Sequence, residues 1–128
     1  MPTNPTILII ENEAGMRALL EDILRLQGYE ILTATTVQQA EAARQRLTPG
    51  SIGLVIADVH LTTGLETREG YALYQRWRTW DLGLPFLLIS GDPSTRDLPD
   101  VRAGAVRWLA KPFTPGELLE AVREVLGR

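Results

Sequence analysis

Four stretches of strand length carry apolar residues without alternation: Ile7-Leu8-Ile9-Ile10, Ile52-Gly53-Leu54-Val55-Ile56-Ala57, Pro85-Phe86-Leu87-Leu88-Ile89 and Ala105-Val106-Arg107-Trp108-Leu109-Ala110. A strand half exposed to water alternates apolar and polar side chains, so continuous runs mark strands covered on both faces. The segments between them have helical spacing. Met16, Leu19, Leu20, Ile23 and Leu24 predict an inward face for a helix over 14–27, stopped by Gly28. Val37, Ala40, Ala43 and Leu47 do the same for 36–47, which Pro49-Gly50-Ser51 ends. Leu73 and Trp77 share a face over 70–80, and Leu118, Val122 and Val125 share one over 115–126, where Pro115 suits the first turn. The strands are expected at 6–10, 30–34, 53–58, 85–90 and 105–110. Between the last two, Pro93 and Pro99 bracket a stretch poor in apolar residues, and only a short helix near 96–103 is expected. Alternating strands and helices of this kind build a parallel sheet with helices on both faces.

A chain of 128 residues fits one domain, expected to span 1–128. It has no cysteine, which excludes disulfides and thiolate metal sites, and a single histidine, which excludes a multi-histidine site. Net charge is −3 with basic residues scattered, which argues against direct nucleic-acid binding. No apolar run reaches membrane-spanning length, and Met1-Pro2-Thr3-Asn4-Pro5 is not the start of a signal peptide, so a cytoplasmic protein away from membranes is expected.

The carboxyl ends of parallel strands form the ligand crevice of such a sheet. Here they carry Glu11-Asn12-Glu13, Asp58, Ser90-Gly91 and Lys111-Pro112-Phe113. Lys111 is the only lysine among thirteen lysines and arginines, and an ammonium is a compact point charge where a guanidinium is a broad fork. Acid, acid, hydroxyl and ammonium, in this order at the ends of these strands, resemble the receiver domain of two-component response regulators from about Ile7 to Leu126. The resemblance implies a doubly wound α/β fold, flavodoxin-like, with strand order 2-1-3-4-5 and five helices, the fourth short or irregular. It implies a phosphoprotein in phosphorelay signal transduction rather than an enzyme, with autophosphatase activity at most. Asp58 would accept a phosphoryl group from a histidine kinase or phosphotransfer protein, and a downstream protein or output domain would respond. Mg²⁺ would be held by Glu11, Asn12, Asp58 and the backbone carbonyl of His60. Ser90 and Lys111 would contact the phosphoryl oxygens, and Trp108 would be the aromatic that responds with Ser90. The Lys111-Pro112 peptide is expected to be cis.

Each residue also has a plainer role. Glu11 and Asn12 suit a helix N-cap, Ser90-Gly91-Asp92-Pro93 suits a turn, Trp108 suits a core, and the His60 side chain suits a solvated loop. Three features depart from the family pattern. Where the family's usual acidic pair is two aspartates, this chain has Glu11-Asn12, one carboxylate replaced by an amide and the other a methylene longer, so Mg²⁺ is expected to bind weakly. The 59–70 loop lacks the usual proline and brings Gly70 about four residues late. The segment before the fifth strand is broken by proline. The Glu11-Asn12 pair keeps a second reading open, a pseudo-receiver that binds partners without phosphorylation.

Overall fold

A computed structural model describes residues 5–62 and 67–127. Residues 1–4, expected not to open a signal peptide, and the centre of the 59–70 loop, 63–66, lie outside the described residues. The strands are β1 (Thr6–Ile10), β2 (Glu30–Ala34), β3 (Leu54–Asp58), β4 (Phe86–Ser90) and β5 (Arg107–Ala110). The helices are α1 (Ala14–Leu26), α2 (Val37–Gln45), α3 (Glu69–Trp80), α4 (Pro99–Arg102) and α5 (Pro115–Leu126), with a 3-10 turn at Pro93–Asp97. All strand pairs are parallel, in the order β2-β1-β3-β4-β5. This is the expected doubly wound, flavodoxin-like sheet.

The three central strands are buried along almost their whole length, as their continuous apolar sequence requires. One core layer joins Leu8, Val55, Leu88, Leu73 and Trp77, and the other joins Ile9, Ile56, Leu20, Leu24, Leu118 and Val122. Each fully buried leucine or isoleucine contributes about 1.5–3 kcal/mol. The ends of the helices follow local chemistry. Thr114 and Glu117 form a reciprocal capping box at the start of α5, and Gly127 closes it in the left-handed region at φ 75°. Gly28 does the same after α1 at φ 90°.

Two expectations need correction. The fifth strand is not a buried strand over 105–110. Ala105 and Val106 give their N–H groups to the Asp100 carbonyl, so β5 starts only at Arg107 and forms an edge, with Arg107 and Ala110 exposed. Leu19 faces water at 44% exposure, because Leu20 and Leu24 already fill the contact with the sheet. The fourth helix is short, as expected near 96–103: Pro99 starts its four residues, and a 3-10 turn over Pro93–Asp97 precedes it.

Candidate functional site

The sheet register brings the polar groups together. Ile10 pairs with Ala57, Asp58 with Ile89, and Ser90 with Ala110. Glu11, Asp58, Ser90 and Lys111 therefore stand at one rim, each at or just past the carboxyl end of its strand. Lys111 spans it. Its Nζ donates to Asp58 Oδ2 at 2.6 Å and to Glu11 Oε1 at 2.8 Å, and the Lys111-Pro112 peptide is cis.

Glu11 has no exposed surface. Its Oε2 accepts the Glu13 N–H at 3.0 Å, and its backbone carbonyl accepts from Arg17 Nη1. Burial pushes the Glu11 carboxyl above the usual glutamate range, against the downward pull of Lys111. Burial also opposes the charge on Lys111, but its bonds to Asp58 and Glu11 outweigh that and hold the ammonium above the ordinary lysine value. Neither Glu11 nor Asn12 caps α1 with its side chain. The N-cap is Glu13, which makes no side-chain cap bond, and Asn12 is exposed.

Asp58 is 6% exposed, and its Oδ1 accepts the His60 N–H at 2.9 Å. Below it, α3 presses close: an added Cβ at Gly70 would lie 1.8 Å from the Asp58 carbonyl oxygen. The late glycine of the 59–70 loop is thus the residue that lets α3 start against the backbone of β3 at Asp58. Gly70→Ala is expected to cost about 1–3 kcal/mol, read from urea unfolding. An unchanged midpoint would contradict this close approach.

The His60 side chain is not solvated. Its ring is nine-tenths buried, Nδ1–H donates to the Thr67 carbonyl at 2.8 Å, and Nε2 lies 3.4 Å from Asp92 Oδ2 without a hydrogen bond. Its contacts are with Thr67 and Asp92, which a lone histidine in sequence does not signal.

Ser90 is 1% exposed and serves as a hub. Its carbonyl accepts the Lys111 N–H at 2.9 Å and the Trp108 indole N–H at 3.3 Å. Its Oγ accepts from the Asp92 N–H at 3.0 Å and from Thr95 Oγ1 at 2.9 Å. The turn bonds of Ser90 therefore coexist with its place at the rim. Trp108 is half-buried and tied to Ser90, whereas Trp77 is core at 1% exposure. Thr95, buried at 1%, had no signal in sequence, because it sits between two prolines in a stretch with few apolar residues.

The oxygens at this rim suit a hard cation as a sparse set. Asp58 and Asn12 side chains and the His60 carbonyl are of the type Mg²⁺ takes, with water completing an octahedron. Glu11, with no exposed surface, is bonded to Lys111 and to the Glu13 N–H. Among the described residues no three histidine, aspartate or glutamate side chains form a metal-binding group.

A family model described as the response regulator receiver domain matches residues 7–123. The transcriptional regulatory protein PrrA of Mycobacterium tuberculosis is 31% identical over 127 residues, covering 98% of this chain and 52% of that protein. The chain spans about half the length of this relative. Among solved structures, the PhyR response regulator receiver domain of Erythrobacter litoralis superposes with a TM-score of 0.81 at 27% identity, covering 98% of this chain and 92% of the other. The chemotaxis response regulator CheY4 of Vibrio cholerae gives 0.79 at 25% identity, covering 96% and 99%.

Proposed function

Because the chain belongs to the response regulator receiver domain family, a family of two-component signalling modules, we propose that residues 1–128 form one receiver domain that accepts a phosphoryl group on Asp58. One observation carries this reading: the lone lysine bridges Asp58 and Glu11 at 2.6 and 2.8 Å. A carboxylate oxygen of Asp58 attacks phosphorus, the bond from phosphorus to the donor nitrogen of a phosphohistidine breaks in line, and an acyl phosphate results. Such transfers need little covalent help from the protein and depend on positioning and charge neutralisation. Lys111 neutralises part of the charge on the equatorial oxygens, and Glu11 holds the Lys111 ammonium over the rim through its Oε1. The Ser90 hydroxyl donates to a phosphoryl oxygen, and Trp108 reads its movement through the Ser90 carbonyl. Mg²⁺, bound by Asp58, Asn12 and the His60 carbonyl, would supply the rest of the neutralisation. Glu11 acts on this site through Lys111.

The partners that fit are a histidine kinase or phosphotransfer protein as donor and a downstream protein or output domain as receiver of the signal. The absence of direct nucleic-acid contact is proposed for residues 1–128 only, since the longer mycobacterial relative is a transcriptional regulatory protein. No described helix is long and apolar enough to cross a membrane, and a cytoplasmic location fits the donor chemistry. Autophosphatase activity is the most catalysis expected of this site.

Asn12 favours a second reading, a pseudo-receiver that binds its partner without phosphorylation. Intact mass after incubation with acetyl phosphate and Mg²⁺ separates the two, since only a working receiver gains a phosphoryl group. Restoring the acid with Asn12→Asp is also decisive. At an effective dielectric near ~20, a unit charge about 4 Å away is worth ~4 kcal/mol before desolvation and screening. Mg²⁺ affinity is expected to rise by about tenfold, or ~1.4 kcal/mol, in a calorimetric titration. Equal affinities would remove Asn12 from the cation site and strengthen the pseudo-receiver reading.

A further inference from the structure

The chain leaves β3 at Asp58 and enters α3 at Glu69, and the two ends of the loop between them are tied to each other. The Gly70 N–H donates to the Val59 carbonyl at 3.0 Å, which fixes the start of α3 against the strand. Glu69, beside that anchor, reaches back across the loop. Its Oε1 accepts the Leu61 N–H at 3.4 Å, and its Oε2 accepts the Thr62 hydroxyl. The His60 ring makes a second tie through Nδ1–H on the Thr67 carbonyl at 2.8 Å. Burial opposes the charge on Glu69, but the bonds from Thr62, from its own N–H, from Thr67 and from Leu61 outweigh it and hold the carboxyl below the usual glutamate range. Glu69 is therefore an ionised acceptor at neutral pH. The path from Val59 to Thr62, across to Glu69 and back through Gly70 is a closed ring of bonds, and His60 is one of its members.

From this, and resting on the receiver reading of Asp58, we propose that Glu69 is a positioning residue: by tying Leu61 and Thr62 to the first turn of α3, it holds the two peptide groups of His60 in place beside the acceptor. The Leu61 N–H and the His60 carbonyl belong to one peptide unit, which is trans. In a planar trans peptide these two groups point in opposite directions, so fixing one aims the other. The unit that Glu69 holds by its N–H is thus the unit whose carbonyl is offered to Mg²⁺. On the other side of the residue, the His60 N–H is bonded to Asp58 Oδ1 at 2.9 Å, while Oδ2 meets Lys111. The Leu61 side chain, 4% exposed, holds the same stretch from the core, so loss of Glu69 frees the peptide plane without unfolding the loop. Glu69 acts on the cation site through the backbone.

The test compares the wild type with Glu69→Ala, which deletes the tie, and Glu69→Gln, which keeps it without the charge. The glutamine amide oxygen accepts the Leu61 N–H, and its amide nitrogen donates to the Thr62 oxygen. Mg²⁺ affinity is measured by calorimetry, and hydrogen exchange of the His60 amide is measured in the metal-free protein. Glu69→Ala is expected to weaken Mg²⁺ binding about threefold to tenfold and to speed the His60 amide by a similar factor, the scale of one hydrogen bond. Glu69→Gln is expected to match the wild type in both. The Trp77 and Arg78 amides, in the body of α3, are expected to keep their wild-type exchange. Equal Mg²⁺ affinity in Glu69→Ala overturns the proposal, and so does a wild type that binds no Mg²⁺. A glutamine variant as impaired as the alanine one assigns the effect to charge and overturns the tie, as does acceleration that runs equally through α3. Neither readout uses phosphoryl transfer. A wild type that accepts no phosphoryl group from acetyl phosphate, while Glu69→Ala loses Mg²⁺ affinity and Glu69→Gln keeps it, would overturn the reading of Asp58 and still support the positioning role.

Discussion

Lys111→Met is expected to destabilise the protein by about 3–5 kcal/mol at neutral pH, the cost of removing one partner from a buried ion pair. Methionine keeps the apolar stem but leaves Glu11, with no exposed surface, facing Asp58 without a cation. The loss depends on pH. The Glu11 carboxyl is already pushed up by burial, so the folded state takes a proton more readily than the unfolded chain does. A group raised in this way favours the folded state fully below its unfolded value, about 4.3 for glutamate, and that contribution fades as pH rises through the folded value. The Lys111→Met penalty is therefore largest at neutral pH and shrinks under acid, as Glu11 neutralises itself. In the wild type, Lys111 is held above the ordinary lysine value. Its contribution is complete below about 10.4 and is lost only as alkali carries pH through the raised folded value. Urea unfolding at pH 7 and pH 5 checks the Lys111→Met penalty, and unfolding of the wild type at increasingly alkaline pH checks the loss of the Lys111 contribution. A variant as stable as wild type at pH 7 would show that the triad is no more than a surface contact. Lys111→Arg should keep the fold and impair signalling, because a planar fork does not replace a point charge wedged between two carboxylates.

Asp58→Asn is expected to abolish phosphoryl transfer. The amide retains an acceptor for the His60 N–H but loses the carboxylate that attacks phosphorus. The fold should survive with a change of about 1 kcal/mol or less, because the Lys111–Glu11 pair remains and the asparagine can still accept a hydrogen bond. Circular dichroism and urea unfolding check the fold, and radiolabel transfer from a phosphorylated histidine kinase checks the chemistry. Label on the asparagine variant would mean that another side chain is the acceptor.

The central strands were legible because nothing but a doubly covered parallel strand accounts for runs such as Leu54-Val55-Ile56-Ala57. Lys111 was legible through its singularity, and the register of the sheet then brings it to Asp58. The fifth strand was less so. Ala105-Val106 looks like strand in sequence, but a turn at Gly104, φ 74°, and the Asp100 carbonyl take those two residues out of the ladder. Leu19 has the right helical spacing and still faces water, since periodicity marks a face and not the width that the sheet can cover. The ion pair of Glu11 was hidden for another reason: it follows from burial of the carboxylate beside the ammonium, which an acid next to an amide at a strand end does not signal. The contacts of Thr95 with Ser90, and of the His60 ring with Thr67 and Asp92, join residues apart in sequence and leave no local pattern to read.

The claim that Asp58 is a phosphoacceptor is tested most directly by intact mass of the wild-type chain after acetyl phosphate and Mg²⁺ treatment, repeated after brief exposure to hydroxylamine. The expected result is the gain of a single phosphoryl group that hydroxylamine removes, as it removes an acyl phosphate and not a phosphoserine, with no gain in Asp58→Asn. No gain in the wild type under these conditions or with its own kinase, or a gain that survives hydroxylamine, would contradict it.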